Sequence, residues 1–377
     1  MISEESIRIG IDGRELALTY SGIGRYISEL CKVLDNLLPC ASFFIYSNLE
    51  IRMPVESPRW TARIDRVPGA KRLHPLMWLM LRGHALCVVD HLDVFWGTTT
   101  ILPRLPASIR AVVTVHDLFH TDRAIVSLKR WLSYGLLFKR SLAHADSIVT
   151  NCETTARKLH SLFGYDAAAV VKPGVSEHYR PRPAEEVEAC LRLYGIKAPY
   201  IFTVVSRYEP RKNLGSLFEA FRGLKADGVL KDHTLLLAGG GGSRALAESP
   251  LARMAEPGAI RSLGQVPDDH LVLLYCGTDA FVFPSTHEGF GIPVMEARAC
   301  GTKVVASDIP ELHEAGSDDA IYVTPTAEGI RNGIIRAVGQ QKTQPGPKPY
   351  ANAWGESGVR LAKLLTDGRG PIETSCR

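Results

Sequence analysis

The segment "DAFVFPSTHEGFGIPVMEARACGTKVVAS" (279–307) decides how this chain is read. Its two ends, 279–285 and 302–307, are short runs dominated by apolar and β-branched residues, the pattern of strands buried on both faces. Between them Pro293 stands where the first turn of a helix loses nothing by lacking an N–H. "VMEARAC" continues that helix and Gly301 stops it. The spacing predicts a strand–loop–helix–strand unit. Glu288 falls in the loop and Glu296 in or near the first helical turn. The amides of Gly289, Phe290, Gly291 and Ile292 gather at the positive helix end, where an anion is favoured, and the glycines admit a ligand close to the backbone. A plainer alternative stays open, in which Glu296 is a first-turn glutamate that complements the helix dipole.

The same rhythm recurs outward from this unit. Strands are expected at 7–12, 42–48, 93–97, 111–117 and 147–151, with helical patterns at 24–38 and 127–144. The rhythm breaks at "KPGVSEHYRPRPAEE" (172–186), which reads as a linker. It restarts with strands at 200–206, 233–239 and 259–264 and a helix at 213–224. Alternation of this kind predicts α/β architecture with two Rossmann-like, doubly wound parallel-sheet domains, 1–178 and 179–351, facing across a cleft. The stretch 339–351 reads as a loop, and a helix at about 352–366 is expected to pack back on the first domain.

With 377 residues the chain is long enough for two domains, and at 45% hydrophobic and 22% charged it has the composition of a globular protein. A net charge of +4 does not call for a nucleic-acid partner. The eight cysteines are scattered without a C-x-x-C pair, so neither a zinc knuckle nor a disulfide framework is expected. "MISEESIRIGID" lacks a basic region followed by an apolar run, and no apolar run approaches the roughly 20 residues that span a bilayer. A cytoplasmic protein is the expectation.

A second chemical element is "VVSRYEPRKN" (204–213). Arg207 stands at the carboxyl end of the strand opening the second domain, with Arg211 and Lys212 just beyond. Two cations there can neutralise a diphosphate, although a solvated basic loop is the alternative. "RYEPRKN", "LLLAGGGG", "LGQVPDDHLVLLY" and the segment quoted above, together with "SGIGRYISEL", "VVTVHDLFH" and "SIVTNCETTARKL" in the first domain, resemble glycosyltransferase family 4 (group 1). These are retaining nucleotide-sugar enzymes of the GT-B fold with a Glu-x7-Glu motif, and the likeness is to their mannosyltransferase-type members. It extends over nearly the whole chain.

The resemblance implies roles for individual residues. Arg207 and Lys212 would bind the donor diphosphate. Glu288 and the amides of Gly289, Phe290, Gly291 and Ile292 would face the donor sugar, and Glu296 would hold the ribose hydroxyls. Gly22 and Gly24 would form a loop closing on the phosphates, and His116 would approach the sugar's primary hydroxyl, with Asp117 holding the local turn. Glu288, His116, Arg207 and Lys212 are thus the expected catalytic group. A tight turn for the two glycines, a satisfied strand-end pair for His116 and Asp117, and a structural Asp12 are the alternatives. No cofactor and no metal are expected, since the sequence has no Asp-x-Asp pair and the cations and helix amides can take the leaving-group charge. The likeness implies GDP-mannose as donor, with UDP-sugars second, and a glycan or lipid-linked oligosaccharide of surface polysaccharide synthesis as acceptor. The basic, apolar stretches 71–84 and 127–140 would allow peripheral contact with the cytoplasmic membrane face. Three departures from the family pattern stand out: Ser206, Arg298 and the abbreviated stretch 325–352.

Overall fold

A computed structural model describes residues 6–17, 22–121, 126, 128–197, 199–254, 258–339 and 353–367. Short strands of Val, Ile, Phe and Leu alternate with helices through two units. One holds the chain up to Pro173 together with its C-terminal helix, and the other runs from Gly174 to Ala351.

In the first unit β1 (Arg8–Asp12) leads to α1 (Gly22–Leu37), β2 (Ser42–Ser47), β3 (Trp60–Ile64), α2 (Pro75–Val89), β4 (Val94–Gly97), β5 (Arg110–Val115), α3 (Leu128–His144), β6 (Ser147–Thr150), α4 (Glu153–Phe163) and β7 (Ala169–Val170). The strands form one parallel sheet in the order β3-β2-β1-β4-β5-β6-β7. α1 covers one face with Tyr26, Ile27, Leu30, Cys31 and Leu34, a helical stripe. Trp78, Leu79, Cys87, Phe138 and Leu142 of α2 and α3 fill the core that includes Phe95, Val113 and Val115.

The second unit runs α5 (Ala184–Leu193), β8 (Tyr200–Val205), α6 (Leu214–Ala226), β9 (Thr234–Gly239), α7 (Gly242–Ala247), β10 (Ile260–Gly264), α8 (Asp268–Gly277), β11 (Ala280–Phe283), α9 (Ile292–Ala299), β12 (Val304–Ser307), α10 (Pro310–Gly316), β13 (Ile321–Val323) and α11 (Ala327–Val338). Its parallel sheet has the order β10-β9-β8-β11-β12-β13. Finally α12 (Ala353–Thr366) returns to the first unit. It meets α1 so closely that a Cβ on Gly358 would lie 2.2 Å from Val33, and Trp354 packs edge-on against Tyr26.

Every strand expected from the sequence is present. β3, β7 and β13 were not expected: β3 is a mixed strand with a half-exposed pattern, and β7 and β13 are only two and three residues long. The expected linker already contains the start of α5, which begins after Pro183. Of the loop expected at 339–351, all but Gly339 lies outside the described residues. Among the described residues no helix is long and apolar enough to cross a membrane. Cys31, Cys87, Cys152, Cys190, Cys276 and Cys300 are free thiols, but Cys40 is disulfide-bonded, a correction to the expectation that spacing alone could not supply.

Candidate active site

In an open parallel sheet the chain reverses its winding where two neighbouring strands send their connections to opposite faces. Ligands bind beyond the carboxyl ends of those strands. In the second unit this point lies between β8 and β11. The two sequence elements singled out above are the segments that follow these strands, so the topology brings them together.

After β8 the chain exposes Ser206 and Arg207, turns through Pro210–Lys212 and enters α6. The Arg207 side chain makes no ion pair among the described residues. Lys212 turns inward, and its Nζ donates to Glu288 Oε1 at 2.5 Å, with the two side chains only 8% and 11% exposed. Arg211 Nε donates to Glu209 Oε2 at 2.8 Å. Arg211 Nη1 donates to the His287 carbonyl at 3.3 Å and lies 3.7 Å from Glu288 Oε2. The result is an alternating row of charges, Glu209–Arg211–Glu288–Lys212. The sequence had set Lys212 and Glu288 on different parts of one ligand, whereas the structure joins them as an ion pair.

Backbone bonds hold the two segments in register. The Arg211 carbonyl accepts from the Thr286 amide at 2.8 Å. Asn213, at a left-handed φ of 51°, donates from Nδ2 to the carbonyls of Pro284 and Pro325 at 3.1 and 2.8 Å. Arg211 was named only as a cation beyond Arg207, with no role of its own, and Asn213 was not among the expected site residues. Their only signal was their place in "RKN", since such contacts depend on which strand lies beside β8.

α9 begins directly beyond Glu288. Gly291 is its N-cap at φ 109°, and a Cβ there would lie 2.5 Å from Leu312, so the position takes only glycine. Ile292 and Pro293 open the helix, as the sequence predicted. Phe290 is buried, and Gly289 and Ile292 are half-buried beside it. Glu296 is the fifth residue of the helix, near the first turn as expected but just past it, and no acidic residue occupies that turn, so the alternative of a first-turn glutamate complementing the dipole does not hold. The helix starts at Ile292, which sends residue 296 to the next turn and inward. Glu296 is 3% exposed and accepts from the Tyr275 hydroxyl at 3.1 Å. Arg298 reaches away from this edge, donating to the Ala315 carbonyl at 2.9 Å and pairing with Asp319.

The first unit has its own reversal point between β1 and β4. There Asp12, fully buried, accepts Arg14 through both oxygens at 2.8 and 2.7 Å, and Thr99 donates to the same carboxylate at 3.1 Å. His116 follows β5. Its Nε2 lies 2.8 Å from the Thr98 carbonyl, which can only accept, so Nε2 carries the proton. Burial lowers the pKa of His116 to about 4, outweighing the carbonyl contact, so the ring is neutral at pH 7. Gly22 and Gly24 lie in the first turn of α1, not in a loop before it, because the apolar stripe of that helix already begins at Ile23. The residues just before them, 18–21, lie outside the described residues.

Two buried ion-pair clusters, one at each reversal point, with exposed Arg207 and a glycine-capped helix at the second, fit an anionic ligand there. The family model "Glycosyl transferases group 1" matches residues 194–354 and the model "Glycosyltransferase Family 4" matches residues 20–179. The O-antigen chain mannosyltransferase B of Escherichia coli is 30% identical over 336 residues, covering 81% of this chain and 83% of that protein. The chain belongs to glycosyltransferase family 4. A second relative, the O-antigen chain mannosyltransferase RfbU of Salmonella typhimurium, is 25% identical over 285 residues and 74% of each chain. The fold is GT-B: the sucrose-phosphate synthase of Thermosynechococcus elongatus superposes with a TM-score of 0.72 at 16% identity, over 95% of this chain and 94% of the other. As a glycosyltransferase of this family, the protein is an enzyme.

Proposed function

We propose that this glycosyltransferase moves a hexose, mannose first among candidates, from GDP-mannose to a glycan or lipid-linked oligosaccharide in surface polysaccharide synthesis, with retention at the anomeric carbon. The observation that carries the site assignment is the Lys212–Glu288 pair beside exposed Arg207 at the start of α9. The two relatives reported above, both named as O-antigen chain mannosyltransferases, support the sugar and the pathway class.

In this reading Arg207, Lys212 and the amides at the start of α9 meet the diphosphate. Charge grows on that group as the glycosidic bond breaks, so fixed donors aimed at it hold the transition state better than the ground state. Glu288 faces the hexose, and Glu296, steadied by Tyr275, offers an oxygen to the ribose. His116, neutral and fixed by Thr98, serves as a hydrogen-bonding group toward the sugar and not as a charge. Retention follows if the acceptor attacks from the face the diphosphate leaves, with a donor phosphate oxygen taking the acceptor proton.

The acceptor is assigned to the first unit, against an anionic membrane surface. On the outward faces of α2 and α3, Met77, Leu81, Leu132 and Leu136 are 52%, 63%, 54% and 77% exposed. Neither helix contains an acidic residue. Burial and then the neighbouring charge of Arg104 lower the pKa of Arg140 on the same layer. Arg82 of α2 is paired with Asp65 at 3.0 Å, and it is Arg104 and Arg140, together with these apolar side chains, that match a lipid headgroup boundary.

A thermal-shift titration with GDP, GDP-mannose, UDP and UDP-glucose tests the donor. Stabilisation by the guanine nucleotides above the uracil ones is expected. The reverse order makes the enzyme UDP-sugar-dependent, and no response to any nucleotide sinks the transferase site as drawn.

A further inference from the structure

We propose that Arg211 is a positioning residue that takes over Glu288 when Lys212 is given up to an anionic ligand. The inference rests on the reading above that Lys212 meets the donor diphosphate. The lysine charge is already committed, because its Nζ is 2.5 Å from Glu288 Oε1 and both side chains are nearly buried. A diphosphate that captures Lys212 leaves a desolvated carboxylate behind, and a buried charge without a partner is costly.

Arg211 stands ready for that carboxylate. Its Nη1 lies 3.7 Å from the second oxygen, Glu288 Oε2: inside ion-pair range but beyond a hydrogen bond. The guanidinium is anchored on the far side by Glu209 at 2.8 Å and steadied by the His287 carbonyl at 3.3 Å. The Arg211 carbonyl is bonded to both the amide and the hydroxyl of Thr286, at 2.8 and 3.3 Å. The backbones of the two segments therefore stay in register, and only a small rotation of the Glu288 side chain is needed to close on Arg211. The placement also argues against Arg211 as a third diphosphate ligand, since its guanidinium lies between two carboxylates that an incoming anion would have to displace. Arg211 thus lowers the cost of freeing Lys212, and Glu288 is turned as the ligand arrives.

A double-mutant cycle on the full chain tests this, with GDP and UDP as probes in calorimetric titrations. Arg211→Ala is expected to weaken binding of the preferred nucleotide about tenfold, with Arg211→Lys recovering part of the loss. Glu288→Gln, which releases Lys212, is expected to bind that nucleotide no more weakly than wild type. In the Glu288→Gln background Arg211→Ala is expected to change binding less than twofold, because no carboxylate remains to be received. An equal loss in both backgrounds overturns the handover, as does full binding by Arg211→Ala. A wild-type protein that binds neither nucleotide overturns the donor reading itself, a result distinct from either failure of the cycle. Melting temperatures of the free variants separate these outcomes from misfolding.

Discussion

The two sheets share one winding, yet their carboxyl edges have been put to different use. At the edge of the first, Asp12, Arg14 and Thr99 close on one another and His116 is tied to a carbonyl. Burial works against the Arg14 charge, but Asp12 outweighs it and raises the arginine's pKa. At the edge of the second, Arg207 is exposed and the Lys212–Glu288 pair sits just below the surface. The same topology therefore supports a self-satisfied network in one unit and a charge cluster open to exchange in the other. What differs is whether each cation has a buried carboxylate of its own.

The comparison is broken most severely at Lys212. Lys212→Ala should lower donor kcat/KM by about 10²–10³-fold, the usual range for losing one preorganised stabiliser of a developing anion. A Lys212→Ala enzyme within threefold of wild type in steady-state assays would mean that the open cluster is not the donor site. The helix starts provide a second contrast. Gly291→Ala forces a Cβ to 2.5 Å from Leu312 at φ 109° and should cost about 2–4 kcal/mol in urea unfolding. Gly22→Ala, where a Cβ meets nothing within 4 Å, should be neutral or slightly stabilising in the same experiment.

His116 sharpens the contrast through pH. Its folded pKa of about 4 lies below the ordinary 6.5, so between those values the unfolded chain binds more protons than the native one. Stability should fall as pH drops from 6.5 toward 4, by up to about 1.4 kcal/mol per unit, and be unaffected by this group above 6.5. Urea titrations at pH 5 and 7 should show this difference shrinking in His116→Asn. The smallest effect on catalysis is expected on the outward face of the first unit. The double substitution Leu132→Gln and Leu136→Gln should leave turnover of a water-soluble acceptor within twofold and stability within about 0.5 kcal/mol. The same variant should lose co-sedimentation with vesicles rich in phosphatidylglycerol, and undiminished vesicle binding would remove this face from the account.

Much of this was legible beforehand. Parallel strands buried on both faces announce themselves as apolar runs, and Gly291, Pro293 and Gly301 punctuate α9 as local backbone rules require. What misled was register at helix starts. Gly22 and Gly24 belong to a helix, and Glu296 falls just past the first turn of α9, because a single residue's shift in where a helix begins changes a side chain's place by about 100°. The row of charges was hidden for another reason. Arg211 and Glu288 are 77 positions apart in the chain and meet only because β8 and β11 are neighbours.

The sequence by itself determined two α/β units, the family, and which residue types stand at the strand ends, since apolar periodicity and turn chemistry are local. Only the tertiary structure decided which of those charges face each other, which are buried, and that Lys212 is held by Glu288 with Arg211 beside it. Pairing across strands and loss of water belong to the packed sheet, and no stretch of chain carries them alone.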